Sequence, residues 1–139
     1  MTGLMVCIGV LLAATAFGLL YKRRNGRVTV RGRDGGQRLG AAEIGAELGE
    51  RATLLQFSSA FCQPCRATRR TLADVAEMVE GVAHVEIDAE AHLELVRSLN
   101  ILRTPTVLVL DADGAIVRRA SGQPRKADII AALGTAVPD

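Results

Sequence analysis

Two of the three cysteines, Cys62 and Cys65, stand three positions apart in the run Cys62-Gln63-Pro64-Cys65. If that run opens a helix, residues i and i+3 share a face with Cα atoms about 5–6 Å apart, which a disulfide accepts. The first sulfur then sits beside unpaired N–H groups at the positive end of the helix dipole. Both favour negative charge, lower the thiol pKa and supply thiolate near neutral pH. The second sulfur lies one turn inside, poorly exposed, where it can attack a mixed disulfide formed by the first. Pro64 falls in the first turn, where its missing N–H costs little. Thiol–disulfide exchange is the chemistry these residues suit.

The same spacing also serves zinc. A structural zinc site takes four ligands, and the histidines on offer, His84 and His92, sit apart in a strand and a helix. No metal is expected. Cysteines without redox work are a second alternative. Cys7 lies in an apolar run and reads as a small hydrophobe, with lipidation or pairing between chains as alternatives. Three cysteines so placed make no disulfide scaffold.

The elements around the pair must hold it at a strand–helix junction. Residues 53–58 (TLLQFS) form a short apolar run suited to a buried strand. Over 62–80, Leu72, Val75, Ala76 and Val79 recur at helical spacing, Arg70 and Asp74 pair at i,i+4, and Gly81 stops the helix. Residues 82–87 (VAHVEI) nearly alternate as a strand. A helix over 89–99 turns Leu93, Val96 and Leu99 inward and ends at Asn100. Residues 106–110 (TVLVL) read as a buried strand, and Asp113-Gly114 makes a hairpin turn into 115–119. Ile129, Ile130 and Leu133 mark a last helix opened near Pro124 or Arg125. Upstream, 39–48 (LGAAEIGAEL) sets Leu39, Ile44 and Leu48 near one helical face, and Val28-Thr29-Val30 makes a brief strand in a glycine-rich linker. This order implies an α/β domain, a mixed central sheet with helices on both faces.

Phe57-Ser-Ser-Ala-Phe-Cys-Gln-Pro-Cys-Arg66 resembles the active-site segment of thioredoxins, and Arg103-Thr104-Pro105-Thr106 is similar to that family's cis-proline loop. The two motifs lie about forty residues apart, as the family requires, and the resemblance runs from residue 39 to about 136. It implies a thioredoxin fold in which Cys62 attacks a substrate disulfide and Cys65 resolves the mixed disulfide. By the same resemblance Pro105 is cis and faces the pair, and Thr104 offers its backbone to an extended peptide. Phe61 replaces the tryptophan that commonly precedes the first cysteine, and Gly122 matches a glycine that lets substrate approach. No cofactor is implied beyond the redox-active Cys62–Cys65 disulfide. The implied partners are protein disulfides or dithiols and an electron-donating reductase, with the chain a monomer.

The chain also departs from the family. Gln-Pro replaces Gly-Pro between the cysteines, Gln56 replaces the buried aspartate that assists the second cysteine, and His84 replaces a nearby lysine. Glutamine takes up no proton at working pH. His84, or a water beside Gln56, is therefore a candidate helper in deprotonating Cys65, and a half-exposed strand histidine with no such role is the reading it stands against. Arg66, Arg69 and Arg70 read as a solvated face rather than as groups that attract an acidic partner or stabilise thiolate.

Residues 1–21 carry no charged side chain. As a helix, residues 3–21 span about 28 Å, close to the hydrocarbon thickness of a bilayer. A cleaved signal peptide is the competing reading, with an apolar stretch over 4–13 and Ala14-Thr15-Ala16 as a cleavage site. No Lys or Arg precedes the run and a basic cluster follows it, which favours an uncleaved anchor. Between residues 22 and 38 seven basic side chains face one acid, Asp34; from 39 onward ten basic face fourteen acidic. Such a neck suits membrane topology and anionic lipid better than nucleic acid. With three Phe, one Tyr and no Trp, the chain also lacks a stacking platform for single strands.

The expected organisation is thus a transmembrane anchor (1–21), a basic linker (22–38) and a thioredoxin-like domain (39–139). Lys and Arg on the C-terminal flank place that domain in the cytoplasm of a single-pass cell-membrane protein. That compartment keeps thiols reduced, which implies a reductase. An exterior domain is the alternative, resembling the tethered thioredoxin-like proteins of cytochrome c maturation or disulfide repair. The alternative to catalysis is a thioredoxin-fold adaptor or holdase at the membrane.

Overall fold

The computed structural model describes residues 1–24, 28–29 and 37–137. Helix α1 (Thr2–Arg24) has 23 residues and none of them is buried. It is long and apolar enough to cross a bilayer, or to act as a signal sequence. It runs past the expected anchor to take in Lys22, Arg23 and Arg24, so the basic neck begins as helix. Cations there face the negative end of the helix dipole, which stabilises the last turn. Within the expected linker, Val28 and Thr29 form strand β1, while Val30 and the rest of 25–27 and 30–36 lie outside the described residues.

The remaining elements are α2 (Ala41–Ile44), β2 (Ala52–Ser58), α3 (Gln63–Met78), β3 (Val82–Asp88), α4 (Leu93–Ser98), β4 (Thr106–Asp111), β5 (Ile116–Ser121) and α5 (Lys126–Ala136). They build the expected mixed sheet, in the order β1-β5-β4-β2-β3. β2 and β3 run parallel across the α3 connection, while β4 is antiparallel to both β2 and β5. β2 is buried at every position, its polar Thr53, Gln56 and Ser58 included, so its sequence shows no apolar–polar alternation.

Two apolar layers sandwich the sheet. On one face Leu54, Val107 and Val109 pack with Leu72 and Val75 of α3 and Ile129 and Leu133 of α5. On the other, Leu55, Phe57, Leu108 and Leu110 meet Ile44, Leu99 and Ile101.

Several helical expectations need correction. α2 is one turn, because Gly45 adopts φ 72°, a left-handed geometry that ends a helix without a Cβ clash. Leu39 and Ile44 still bury. α4 starts later than expected, since Asp88 and His92 hold the preceding turn through bonds to the Glu90 N–H and the Asp88 carbonyl. The later start leaves Leu93 54% exposed, and Leu95 packs inward beside Val96. In α5, Ile129 and Leu133 are buried but Ile130 is exposed. Asp74 lies 4.0 Å from Lys126 of α5 instead of pairing with Arg70.

Candidate active site

β2 delivers the chain through residues 59–61 to Cys62, the N-cap of α3. Cys62 Sγ accepts the Cys65 N–H at 3.2 Å, satisfying one of the donors a helix start leaves open. The two cysteines are joined as a disulfide with Cα atoms 5.2 Å apart. Cys62 is half-buried, whereas Cys65 is 1% exposed. The first sulfur is thus the more accessible of the two, and it sits at a helix start, a position that favours thiolate.

The loop carrying Pro105 closes over this end of the sheet. The Thr104–Pro105 peptide bond is cis. Thr104 Oγ1 lies 2.9 Å from Ser59 Oγ, tying that loop to the one leading into Cys62. The Gly122 N–H donates to the Pro105 carbonyl at 2.8 Å, with Gly122 at φ 92°, a conformation that suits glycine. Phe61 is fully exposed beside Cys62. Phe61, Thr104, Pro105 and Gly122 thus gather at the strand end that presents the cysteines.

Behind Cys65 lies a chain of polar groups. The buried Gln56 side chain donates through Nε2 to the Cys65 carbonyl and to Ser58 Oγ, each at 2.9 Å. A carbonyl only accepts, so this contact fixes which end of the amide is which. Gln56 Oε1 therefore faces His84 Nε2, 3.1 Å away, and that nitrogen must carry the hydrogen. Nδ1 is the ring position left to titrate. Ser58 Oγ donates to Glu86 Oε2 at 3.3 Å, and Arg69 grips both carboxylate oxygens at 2.7 and 2.8 Å. Burial pushes the His84 pKa below its ordinary value; Glu86 pulls it up and Arg69 pushes it down.

The sequence singled out Gln56 and His84 but not Ser58 or Glu86, and it left Arg69 on a solvated face. A signal was present. β2 and β3 align Leu54 with His84 and Gln56 with Glu86. Period-two alternation then puts Gln56, Ser58, His84 and Glu86 on one face. No cluster of three or more potential metal ligands occurs among the described residues.

Residues 41–136 match the family model of the thioredoxin-like domain. The chain belongs to the thioredoxin-like family. It is similar to a thioredoxin of Mycobacterium tuberculosis, 29% identical over 87 residues that cover 62% of this chain and 74% of that one. A mutant thioredoxin from Halobacterium salinarum matches at TM-score 0.59 and 19% identity, covering 65% of this chain and 78% of the other. A thioredoxin f2 solved in complex with ferredoxin:thioredoxin reductase matches at TM-score 0.55 and 21% identity, over 63% and 79%. These likenesses show the thioredoxin fold. Family membership and the Cys62–Cys65 pair together make this thioredoxin-like protein a thiol–disulfide oxidoreductase.

Proposed function

We propose that this thioredoxin-like protein is a membrane-tethered reductase of protein disulfides, with its domain on the cytoplasmic side and working as a monomer. The Cys62 thiolate attacks one sulfur of a substrate disulfide, whose other sulfur leaves as thiolate. Cys65, deprotonated, then attacks Cys62 Sγ and expels the second substrate sulfur. Two electrons have passed to the substrate, the Cys62–Cys65 disulfide has formed, and an electron-donating reductase restores the dithiol. One observation carries this reading: a reachable Cys62 at the helix start with Cys65 enclosed one turn behind it.

Phe61, Thr104, Pro105 and Gly122 form the substrate surface in this reading, supported by the bonds that join their loops at the cysteine end. Gln56 supports the Cys65 backbone, and a water beside it relays the Cys65 proton to solvent. His84 acts when its Nδ1 takes a proton, placing positive charge behind Gln56 that favours the Cys65 thiolate. The thioredoxin f2 complex supports a reductase as the electron donor. The apolar α1 and its basic end support the tether and its orientation.

Reduction of insulin disulfides, driven by a dithiol donor, tests the proposal. The native chain should turn over and Cys62→Ser should not. Turnover that survives Cys62→Ser, or a native chain inactive with every donor, would favour a non-catalytic adaptor.

A further inference from the structure

We propose that the redox end of the domain is its membrane-proximal end, so that its substrates are disulfides held just outside the bilayer by other membrane-anchored proteins. This rests on the tether reading and adds a direction to it. α1 ends at Arg24 and β1 begins at Val28. However the intervening residues run, a chain of that length reaches at most about 14 Å. The domain cannot drift far from the helix end.

The strand register says which end is held close. β1 runs antiparallel to β5, with Val28 opposite Ala120 and Thr29 opposite Arg119. Ala120 lies two residues before Gly122, whose N–H bonds Pro105, and Ser121 stands opposite Thr106. The first residue of β1 therefore enters the sheet beside the cis-proline loop. A second observation fixes the same direction. Further along, Arg38 bridges Ala115 and the Leu39 N–H donates to the Gly114 carbonyl at 2.9 Å, at the far turn of the β4–β5 hairpin. The chain enters at the redox end and leaves at the other, about 20 Å away along a six-residue strand.

The surface at that end matches such an occupant. Phe61 and Leu102 (85% exposed) are large apolar side chains on the two loops joined by Ser59 and Thr104. They suit the aromatic side chains that gather where a chain leaves a membrane span. Lys22, Arg23 and Arg24 hold the neck toward anionic headgroups. A substrate anchored in the same bilayer arrives from the side, at a raised effective concentration.

The test uses the full chain carrying Cys7→Ser and either Q123C or D113C, labelled with a fluorophore while the native disulfide stays oxidised. Gln123 and Asp113 are both exposed, one beside the redox end and one in the far turn. In phosphatidylcholine–phosphatidylglycerol vesicles with a headgroup acceptor, transfer should be stronger from position 123, as the nearer site by about 20 Å. A flexible spacer of about twenty residues inserted between Arg24 and Val28 should erase the difference. Equal or stronger transfer from 113 in membrane-retained protein overturns the proposal and leaves the tether standing. Protein that an alkaline wash strips from the vesicles overturns both. A second measurement needs no new cysteine. The native chain should reduce a lipid-anchored disulfide peptide about tenfold faster than the same peptide free at equal bulk concentration, and equal rates would contradict the proposal.

Discussion

Gln56 donates its side-chain amide to the backbone carbonyl of Cys65 across 2.9 Å, beneath the enclosed half of the disulfide. A neutral amide therefore stands directly behind the buried cysteine. It braces the peptide of the resolving cysteine and takes no proton from it.

Replacing that amide should cost stability before it costs chemistry. Gln56→Leu removes the donor to the buried Cys65 carbonyl and the acceptor for His84 Nε2–H. Each buried group left unpaired costs about 1–3 kcal/mol. Urea unfolding of the domain should show a loss of that size, and an unchanged midpoint would remove the bracing role.

His84 makes stability depend on pH in a fixed direction. Its folded pKa lies below the unfolded value of 6.5 because burial penalises the charged ring. The unfolded chain then binds more protons between the two values. The contribution is complete above 6.5 and is lost as pH falls through the folded pKa. The acid-side slope of unfolding free energy should flatten in His84→Ala. The pH profile of substrate reduction should shift in the same variant, and an unchanged profile would end the proposed role of His84.

The neighbours of His84 should move its titration in opposite ways. Glu86→Gln removes an attraction for the imidazolium and should lower the His84 pKa further. Arg69→Ala removes a repulsion and frees the Glu86 carboxylate, so it should raise it. Proton NMR of the histidine ring reads both shifts, and equal signs would show that the network is wired differently.

Much of this was legible because burial alone governs particular segments. TLLQFS and TVLVL are covered on both faces, which is enough to name them as strands. Leu72 and Val75 announce α3 because one face of that helix is fully covered. Other segments answer to non-local partners. Val28 and Thr29 were readable as a strand, but that they lie against Ala120 and Arg119 depends on residues some ninety positions away. Leu93 looked inward only until the turn around Asp88 delayed the helix. At the site, Cys62 and Cys65 were plain from spacing. Ser58 and Glu86 were not, because their role exists only once β2 and β3 are in register.

Gly122 offers a test of the substrate surface. Its φ of 92° is one that side chains resist. Gly122→Ala should cost about 1–2 kcal/mol in the left-handed region. Turnover of a protein disulfide should fall while alkylation of reduced Cys62 by a small reagent keeps its rate. Parallel losses in both would point to global damage instead.

The tether makes its own prediction. The full chain should stay with membranes after an alkaline wash, and removal of residues 1–24 should release it. A C-terminal reporter active only outside the cytoplasm should remain silent. Strong reporter activity would reverse the orientation and with it the argument for a reductase.

The division of labour between the two sulfurs is tested most directly by trapping. Cys65→Ser, mixed with a disulfide substrate and analysed by mass spectrometry without reductant, should accumulate one covalent adduct on Cys62 that a dithiol releases. Cys62→Ser should form none. A stable adduct on Cys65, or no adduct in either variant, would contradict the assignment of attacker and resolver.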